Sequence, residues 1–454
     1  MSALREGAVD VVRILRARGR QAYWVGGCVR DLEMGREPHD YDVVTDAPPD
    51  EVAALFPRAL LVGAQFGVVV VPYAGSHYEV STFRTEGPYL DGRRPSSVQF
   101  ADAASDVRRR DFTVNGLLHD PLRGETIDHV GGRADIAARR IRTIGDPAQR
   151  FAEDRLRMLR AVRLAAELDF EIDGPTFDAV RAHAGAIGGV SAERIRDELI
   201  RLLVSAGRGR GVVLLRESGL LAAVLPEVDA TAGVPQPPEF HPEGDVFTHT
   251  VLALEQLRDP RPALALAVLL HDVGKPRTMT VTDRIRFNDH DEVGARMAEA
   301  VCARLRCSTQ ETDRVAALVR EHLRIKDLPQ MRPAKAARFL LREDADDHLE
   351  LHRADCLASH RDLTIYTWAL QARDELRRRH PAPPRLLTGE DLIAMGYRPG
   401  PRFKEILEAV TDAQLEGAVG SAEEARAFVR RTYGGPEGSA GQSGKPLRRG
   451  DQGE

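Results

Sequence analysis

Residues 25–45, VGGCVRDLEMGREPHDYDVVT, constrain this chain more than any other stretch. A strand-like run over 21–25 reaches Gly26-Gly27, and an amphipathic segment opening Cys28-Val29-Arg30-Asp31 follows. Glycines at such a turn let the backbone approach a phosphate, and Arg30 stands beside them. Farther on, Asp40 and Asp42 flank Tyr41 and run into Val43-Val44, so on a strand of period two both carboxylates point to one face. Carboxylates so placed can hold magnesium ions, which take few protein ligands plus substrate phosphates and clamp the oxygens of an in-line phosphoryl displacement. Alone, a Gly-Gly pair is a turn and an Asp-x-Asp pair is a solvated strand edge. Their order and spacing together mark a site.

Around this stretch, short β-rich runs at 22–25, 41–45, 67–72, 77–83 and 126–130 alternate with turns, and Pro48-Pro49-Asp50 opens a short helix over 51–56. The pattern predicts a small α/β head. Glu79, on the run 77–83, is a candidate third carboxylate for the metal site, against the plain reading of a solvent-facing strand residue. Residues 84–98, RTEGPYLDGRRPSSV, lack periodicity and read as a mobile loop. Residues 106–120, DVRRRDFTVNGLLHD, carry arginines and Asp111 into an apolar run, which an ordinary helix end would also do.

Residues 151–168, FAEDRLRMLRAVRLAAEL, predict one helix with an apolar stripe of Leu156, Leu159, Val162 and Ala166 and with Asp154, Arg157, Arg160 and Arg163 on its other faces. Residues three apart adjoin on a helix, so the plain reading of Asp154 and Arg157 is a surface ion pair worth roughly 0.2–0.5 kcal/mol. The chemical reading is sharper. A carboxylate accepting from an exocyclic amine beside a guanidinium donating to ring acceptors fits the pairing edges of cytosine and adenine and opposes the carbonyls of uracil and guanine. At 191–203, SAERIRDELIRLL, a serine cap with glutamate close behind predicts another helix start.

Beyond a Pro- and Gly-rich linker at 231–244 the residue types change. His249 lies in a helix-like segment, His271-Asp272 ends the apolar run in LAVLLHDVGK, and Asp355 follows on a later helical stretch. One histidine on an apolar face is ordinary packing. An H…HD…D order supplies imidazole and carboxylate ligands for a divalent or transition metal that activates water against a phosphoester. A second proline-rich break spans 380–385, and residues 434–454 hold almost nothing apolar, which predicts a disordered tail.

With 454 residues there is length for about three domains. A net charge of −5 excludes a globally basic nucleic-acid binder, so any RNA contact is local. Four cysteines, Cys28, Cys302, Cys307 and Cys356, make no CxxC pair and fit a reducing compartment. The N-terminal segment reads as an amphipathic helix ending at Gly19, no run is long enough to span a membrane, and a cytoplasmic protein is expected.

These motifs resemble the class II CCA-adding enzymes and bacterial poly(A) polymerases. Gly26, Gly27, Arg30, Asp40 and Asp42 match the family's GG-x-VRD and D-x-D elements; Arg110 and Asp111 match RRDFT-x-NA, with Gly116 in place of alanine. Glu153, Asp154 and Arg157 match ED-x-x-R, with Arg155 where proline is common and Leu164 where phenylalanine is. Residues 191–199 resemble the neck motif S-x-ERI-x-x-EL, and LTGEDL with GYRPGP near 387–401 resembles the C-terminal pattern, where Phe403 and Lys404 depart from it. His249, His271, Asp272 and Asp355 resemble an HD phosphohydrolase domain.

The resemblance implies an α/β nucleotidyltransferase head (1–145), a helical nucleotide-selecting neck (146–230), an HD-type helical domain (231–380), a C-terminal packing or tRNA-contacting module (381–433) and the tail. It implies template-independent addition of C and A to tRNA 3′ ends from CTP and ATP, with Mg2+ on Asp40 and Asp42 and a second divalent or transition metal in the HD domain. Gly26, Gly27, Arg30 and Arg110 would contact triphosphate or sugar, Asp111 the ribose, Asp154 and Arg157 the base, and Arg160 and Arg163 the nucleotide further. In this family the loop matching 84–98 helps the site accept ATP and is shortened in enzymes that add only the cytidines. A-only addition and poly(A) synthesis keep most of these motifs, although 63–70, GAQFGVVV, follows the CCA-adding pattern. Readings of another class are an HD phosphohydrolase using the head for targeting, and a non-catalytic RNA-binding scaffold.

Overall fold

Strand β1 (Ala22–Val25) runs through the middle of the head's sheet and delivers the Gly-Gly turn to its end. In this computed structural model residues 2–61, 67–87, 98–239, 241–379 and 385–434 are described. Helix α1 (Ala3–Ala17), capped by Ser2 accepting from the Arg5 N–H, precedes β1. Then come α2 (Gly27–Glu33), β2 (Asp42–Thr45), α3 (Pro49–Leu55), β3 (Val68–Tyr73), β4 (Ser76–Thr82), β5 (Arg84–Glu86), β6 (Val98–Phe100), α4 (Ala103–Arg108), β7 (Leu117–Asp120) and β8 (Glu125–Asp128).

The sheet order is β3-β4-β2-β1-β7-β8. Only β2 and β4 pair in parallel, with Val43 opposite Val80, while β1 and β2 are antiparallel with Val25 opposite Asp42. That register puts the end of β1, and hence the glycine turn, beside Asp42. Alternation buries Trp24, Val43, Tyr78 and Val80 against Ala8, Val11, Val12 and Leu15 of α1. Val25, Val44, Phe83, Val107 and Leu118 fill the opposite face.

Three local expectations change, and one alternative falls away. β2 begins at Asp42, so Asp40 stands just ahead of the strand rather than in it. The stretch 84–98 is not a loop throughout: its ends pair as the ribbon β5–β6, while residues 88–97 lie outside the described residues, as do 63–66 of the GAQFGVVV motif. Strand β7, beside β1 in the sheet, takes up the apolar run after Asp111, so the plain alternative of an ordinary helix end does not hold there. The neck's single helix is two, Pro147–Glu153 and Leu156–Leu168, broken at Asp154 with φ −142° and ψ 104°. The Asp154 side chain accepts from the Leu156 N–H at 3.1 Å, the local competition with helix that short carboxylates offer.

Helix Leu156–Leu168 is buried on most of its surface, Arg157 and Arg163 included, so its arginines are not a solvated face. It lies against Ala192–Val204, whose N-terminal Ser191 makes no side-chain capping bond. The HD-type region is built from Val246–Glu255, Pro262–Leu270, His290–Arg304, Thr309–Glu321 and Ala345–Ala358.

By contact, residues 1–320 with 354–361 form one compact unit, and 321–353 with 362–454 a second. The second unit has its own cores, around Leu328, Phe339 and Leu349 and around Leu392, Ile406 and Val429. Its helix Gly389–Ala394 starts with a reciprocal Thr388–Asp391 capping box, which accounts for Thr and Asp three apart in the LTGEDL motif. Of the tail expected at 434–454, residues 435–454 lie outside the described residues. Among the described residues no helix is long and apolar enough to cross a membrane.

Candidate active site

Parallel pairing of β2 with β4 sets Asp42 beside Glu79 on the face opposite Val43 and Val80. Burial, then the like charges of Asp40 and Glu79, push the Asp42 carboxyl up to about 7, with Arg110 opposing. A buried carboxylate crowded by like charges in this way forms a site suited to a divalent cation, which would relieve the repulsion on Asp42. Gly26, at φ 79° and ψ −135°, arches over this edge: a Cβ built on it would lie 3.7 Å from Arg110 Nη1 and 3.8 Å from Asp42 Oδ2. Only glycine takes that backbone shape cheaply and leaves the cradle open. Arg30 Nη1 donates to Asn115 Oδ1 at 2.9 Å, and its Nε donates to Asp31 at 2.9 Å.

Asp106, fully buried and not singled out in the sequence, holds both neighbouring arginines: Arg109 Nη2 at 2.7 Å and Arg110 Nη2 at 3.0 Å. Burial works against its charge, but the guanidinium groups keep its carboxyl below the usual range. Its spacing of three and four residues from those arginines was a readable signal. Asp111 has both oxygens engaged, one by the Phe112 N–H at 2.8 Å and the other by Arg160 Nε at 2.8 Å. Arg157 donates to Glu153 at 2.7 Å and to the Arg109 carbonyl at 3.3 Å. The neck helix is therefore stitched to the 106–111 segment that carries Arg110.

Asp154 and Arg157 do not pair with each other. Asp154 receives Arg194 of helix Ala192–Val204, Nη1 at 3.2 Å and Nη2 at 2.7 Å, a bidentate bridge the sequence did not announce. Arg163 stands apart from this set, held by Glu198 and Glu167, each at 2.6 Å.

The HD-type residues converge on a second site. His249 Nε2 lies 3.0 Å from Asp355 Oδ1 and 3.3 Å from His271 Nε2, and His271 Nε2 lies 3.2 Å from Asp272 Oδ2. Ligand atoms of His249, His271 and Asp355 all fall within 4.8 Å of one another. Each ring is fixed through Nδ1, His249 on Glu243 at 2.7 Å and His271 on the Val268 carbonyl at 2.7 Å, which aims both Nε2 atoms at the shared point. Burial opposes a charge on His249, yet its bonds to Asp355 and Glu243 prevail and raise it to about 9. Lys275 Nζ bridges Asp272 at 2.7 Å and Gln236 at 2.7 Å. Gln236 and Glu243 come from the expected linker, which is thus part of the site's wall.

Family models match along the chain: the poly A polymerase head domain over 22–142, the probable RNA and SrmB-binding site of polymerase A over 169–231, and the HD domain over 246–358. A CCA-adding enzyme of Bacillus licheniformis is 44% identical over 223 residues, 49% of this chain and 56% of that protein. The match thus spans about half the length of that curated relative. An A-adding tRNA nucleotidyltransferase of Deinococcus radiodurans is 36% identical over 430 residues, 90% of this chain and 94% of that protein. The crystal structure of a Bacillus stearothermophilus CCA-adding enzyme in complex with CTP superposes with TM-score 0.71 at 28% identity, covering 95% of this chain and 98% of that one. With the head, neck and HD models in this order and a relative aligned along nearly the whole length, the chain belongs to the family of class II CCA-adding enzymes and bacterial poly(A) polymerases, with an HD domain after the neck.

Proposed function

We propose that this chain adds nucleotides to tRNA 3′ ends without a nucleic-acid template, using CTP and ATP and releasing pyrophosphate. The observation carrying this reading is the junction of two elements: a carboxylate edge of Asp42 and Glu79 under the Gly26–Arg110 cradle, and a neck helix bound directly to the segment bearing Arg110. Asp40, Asp42 and Glu79 would hold Mg2+, which supplies charge neutralisation at the phosphate oxygens. Gly26, Gly27, Arg30 and Arg110 position the triphosphate, so that the tRNA hydroxyl meets the α-phosphate in line. Asp111 holds Arg160 beside the sugar. Catalysis by these residues is positioning and charge compensation.

Asp154 accepts from the amino group of cytosine or adenine, and Arg157 donates to the ring. A carboxylate has about four lone-pair sites, so Asp154 can serve a base while Arg194 keeps its grip. Arg163, tied to Glu198, supports the helix rather than the nucleotide. The free thiols of all four cysteines suit a cytoplasmic setting.

The relative aligned along nearly the whole chain is an A-adding enzyme, and that favours A addition after a separate CC-adding step as the second reading. Purified protein given CTP, ATP or both, on tRNAs ending before CCA or after CC, separates the two: extension of the shorter tRNA with CTP supports full CCA addition, and extension only of the CC-ended tRNA with ATP supports the second. The His249, His271, Asp272 and Asp355 cluster would hold a divalent or transition metal, with its mixed nitrogen and oxygen donors, for hydrolysis of a phosphoester.

A further inference from the structure

We propose that Cys302 and Cys307 form a reactive dithiol that hydroperoxides oxidise to an intramolecular disulfide. The geometry comes from the way helix His290–Arg304 ends. The Arg306 N–H bonds back to the Ala303 carbonyl at 3.1 Å, the Cys307 N–H to the Cys302 carbonyl at 2.9 Å, and Arg306 takes φ 56°. This is a Schellman motif, and its first and last residues, here Cys302 and Cys307, are the two whose side chains meet across the turn. An apolar contact is usual there; this chain has two thiols.

The two thiols interact across the turn and differ in exposure, Cys302 being buried and Cys307 partly exposed. The interaction with Cys307, together with burial, holds the Cys302 proton on. At Cys307 the same interaction lowers the thiol against the opposing effects of burial and Glu311, and Arg196 adds to the lowering. Arg196 is fixed there by donating to the Arg306 carbonyl at 2.6 Å. A partly exposed thiol favoured as thiolate beside a protonated neighbour is the arrangement of an attacking and a resolving cysteine.

In the first step the Cys307 thiolate attacks a peroxide oxygen; an S–O bond forms, the O–O bond breaks, and the departing oxygen leaves as water or alcohol after taking a proton. In the second, Cys302 attacks the Cys307 sulfur; the S–S bond forms, the S–O bond breaks, and water leaves with the Cys302 proton. Two thiols and one hydroperoxide give one disulfide, one water and one further water or alcohol, the sulfurs losing two electrons to the peroxide. A thiol reductant reverses the product, as suits a reducing compartment where disulfides are transient.

The full chain treated with hydrogen peroxide and digested with trypsin tests this, since Arg304 and Arg306 place cleavage sites between the two cysteines. The expected result is a linked pair of peptides carrying Cys302 and Cys307, two hydrogens lighter than the reduced pair and separated again by a thiol reductant. Before oxidation, Cys307 should alkylate at least about tenfold faster than the buried Cys28 and Cys356. With Cys302→Ser, the peroxide should leave Cys307 as a sulfenic acid, trappable by a dimedone-type probe, and give no linked pair. Accumulation of Cys307 sulfinic or sulfonic acid in the wild-type chain without the linked pair, or cross-linking of Cys307 only between chains, would overturn the proposal. Because the peptide map is made on the unmodified sequence, a variant that misfolds leaves the test intact.

Discussion

Arg194 grips both carboxylate oxygens of Asp154 from a helix forty residues away in sequence, at 3.2 and 2.7 Å. Asp154 sits at a helix break, where the Leu156 N–H also holds one of its oxygens at 3.1 Å, so this bridge and that bond together set where the carboxylate points. Asp154→Ala should raise UTP incorporation relative to CTP by roughly ten- to a hundredfold, since a polar base readout is worth about 1–3 kcal/mol. Arg194→Ala leaves the carboxylate held by the Leu156 N–H alone, so discrimination should fall by less and Arg194→Lys should restore part of it. Competition among all four triphosphates on one tRNA reads this directly, and unchanged CTP preference in Asp154→Ala would remove the template.

Asp106 is the anchor for Arg109 and Arg110 from a fully buried position. Removing it strands guanidinium charge, which in buried pairs costs about 3 kcal/mol or more. Asp106→Ala should therefore lower thermal stability markedly and raise KM for the nucleotide through Arg110. Asp106→Asn should keep some hydrogen bonding and lose less. Equal melting temperatures for Asp106→Ala and wild type would show that the arginines find other partners.

The carboxylate edge predicts a coupling between metal and pH. Asp42 is raised from 3.8 to about 7 by burial and by its neighbours Asp40 and Glu79, so the folded metal-free chain binds this proton more tightly than the unfolded one. The stabilisation is complete below the unfolded value and is lost as pH rises through about 7. A cation displaces the proton, so the rise in melting temperature on adding Mg2+ should be larger near about pH 8 than near about pH 5.5. Asp42→Asn should shrink that difference and abolish nucleotide incorporation. A Mg2+ response that ignores pH in the wild-type chain would place the metal elsewhere.

What the residues disclosed in advance was local. The glycine turn after β1 and the start of helix Ala192–Val204 behind Ser191 depend on neighbours within one strand or one helical turn, although Ser191 makes no side-chain cap and Asp40 stands ahead of β2. Three things were not readable in that way. Whether Glu79 joins Asp42 depends on the parallel register of β2 and β4, set by packing across the sheet. The Arg194–Asp154 bridge joins two helices. The buried state of Arg157 and Arg163 follows from Glu153, Glu198 and Glu167 meeting them in the folded neck, which a polar-face count reads as solvent exposure. The break at Asp154 has a local cause, since a short carboxylate two residues ahead of Leu156 is a cap signal as well as a motif residue. Strand β7 was masked by its brevity, four residues with Leu117 and Leu118 adjacent and no clean alternation.

The HD-type cluster gives a prediction separable from nucleotide addition, because its ligands share no residue with the carboxylate edge. His271→Ala removes one imidazole from a set whose members lie within 4.8 Å, so the purified protein should retain less transition metal than wild type by elemental analysis while CMP and AMP incorporation persist. Glu243 touches His249 only through Nδ1, at 2.7 Å, on the side away from Asp355. Outer partners of this kind typically alter metal affinity by about 10–100-fold, so Glu243→Gln should weaken Mn2+ or Zn2+ binding within that range without emptying the site at saturating metal. Any phosphodiesterase or phosphatase activity should follow metal occupancy across wild type, Glu243→Gln and His271→Ala. Equal metal retention and equal phosphohydrolase activity in all three would reduce the cluster to a packed core of histidines.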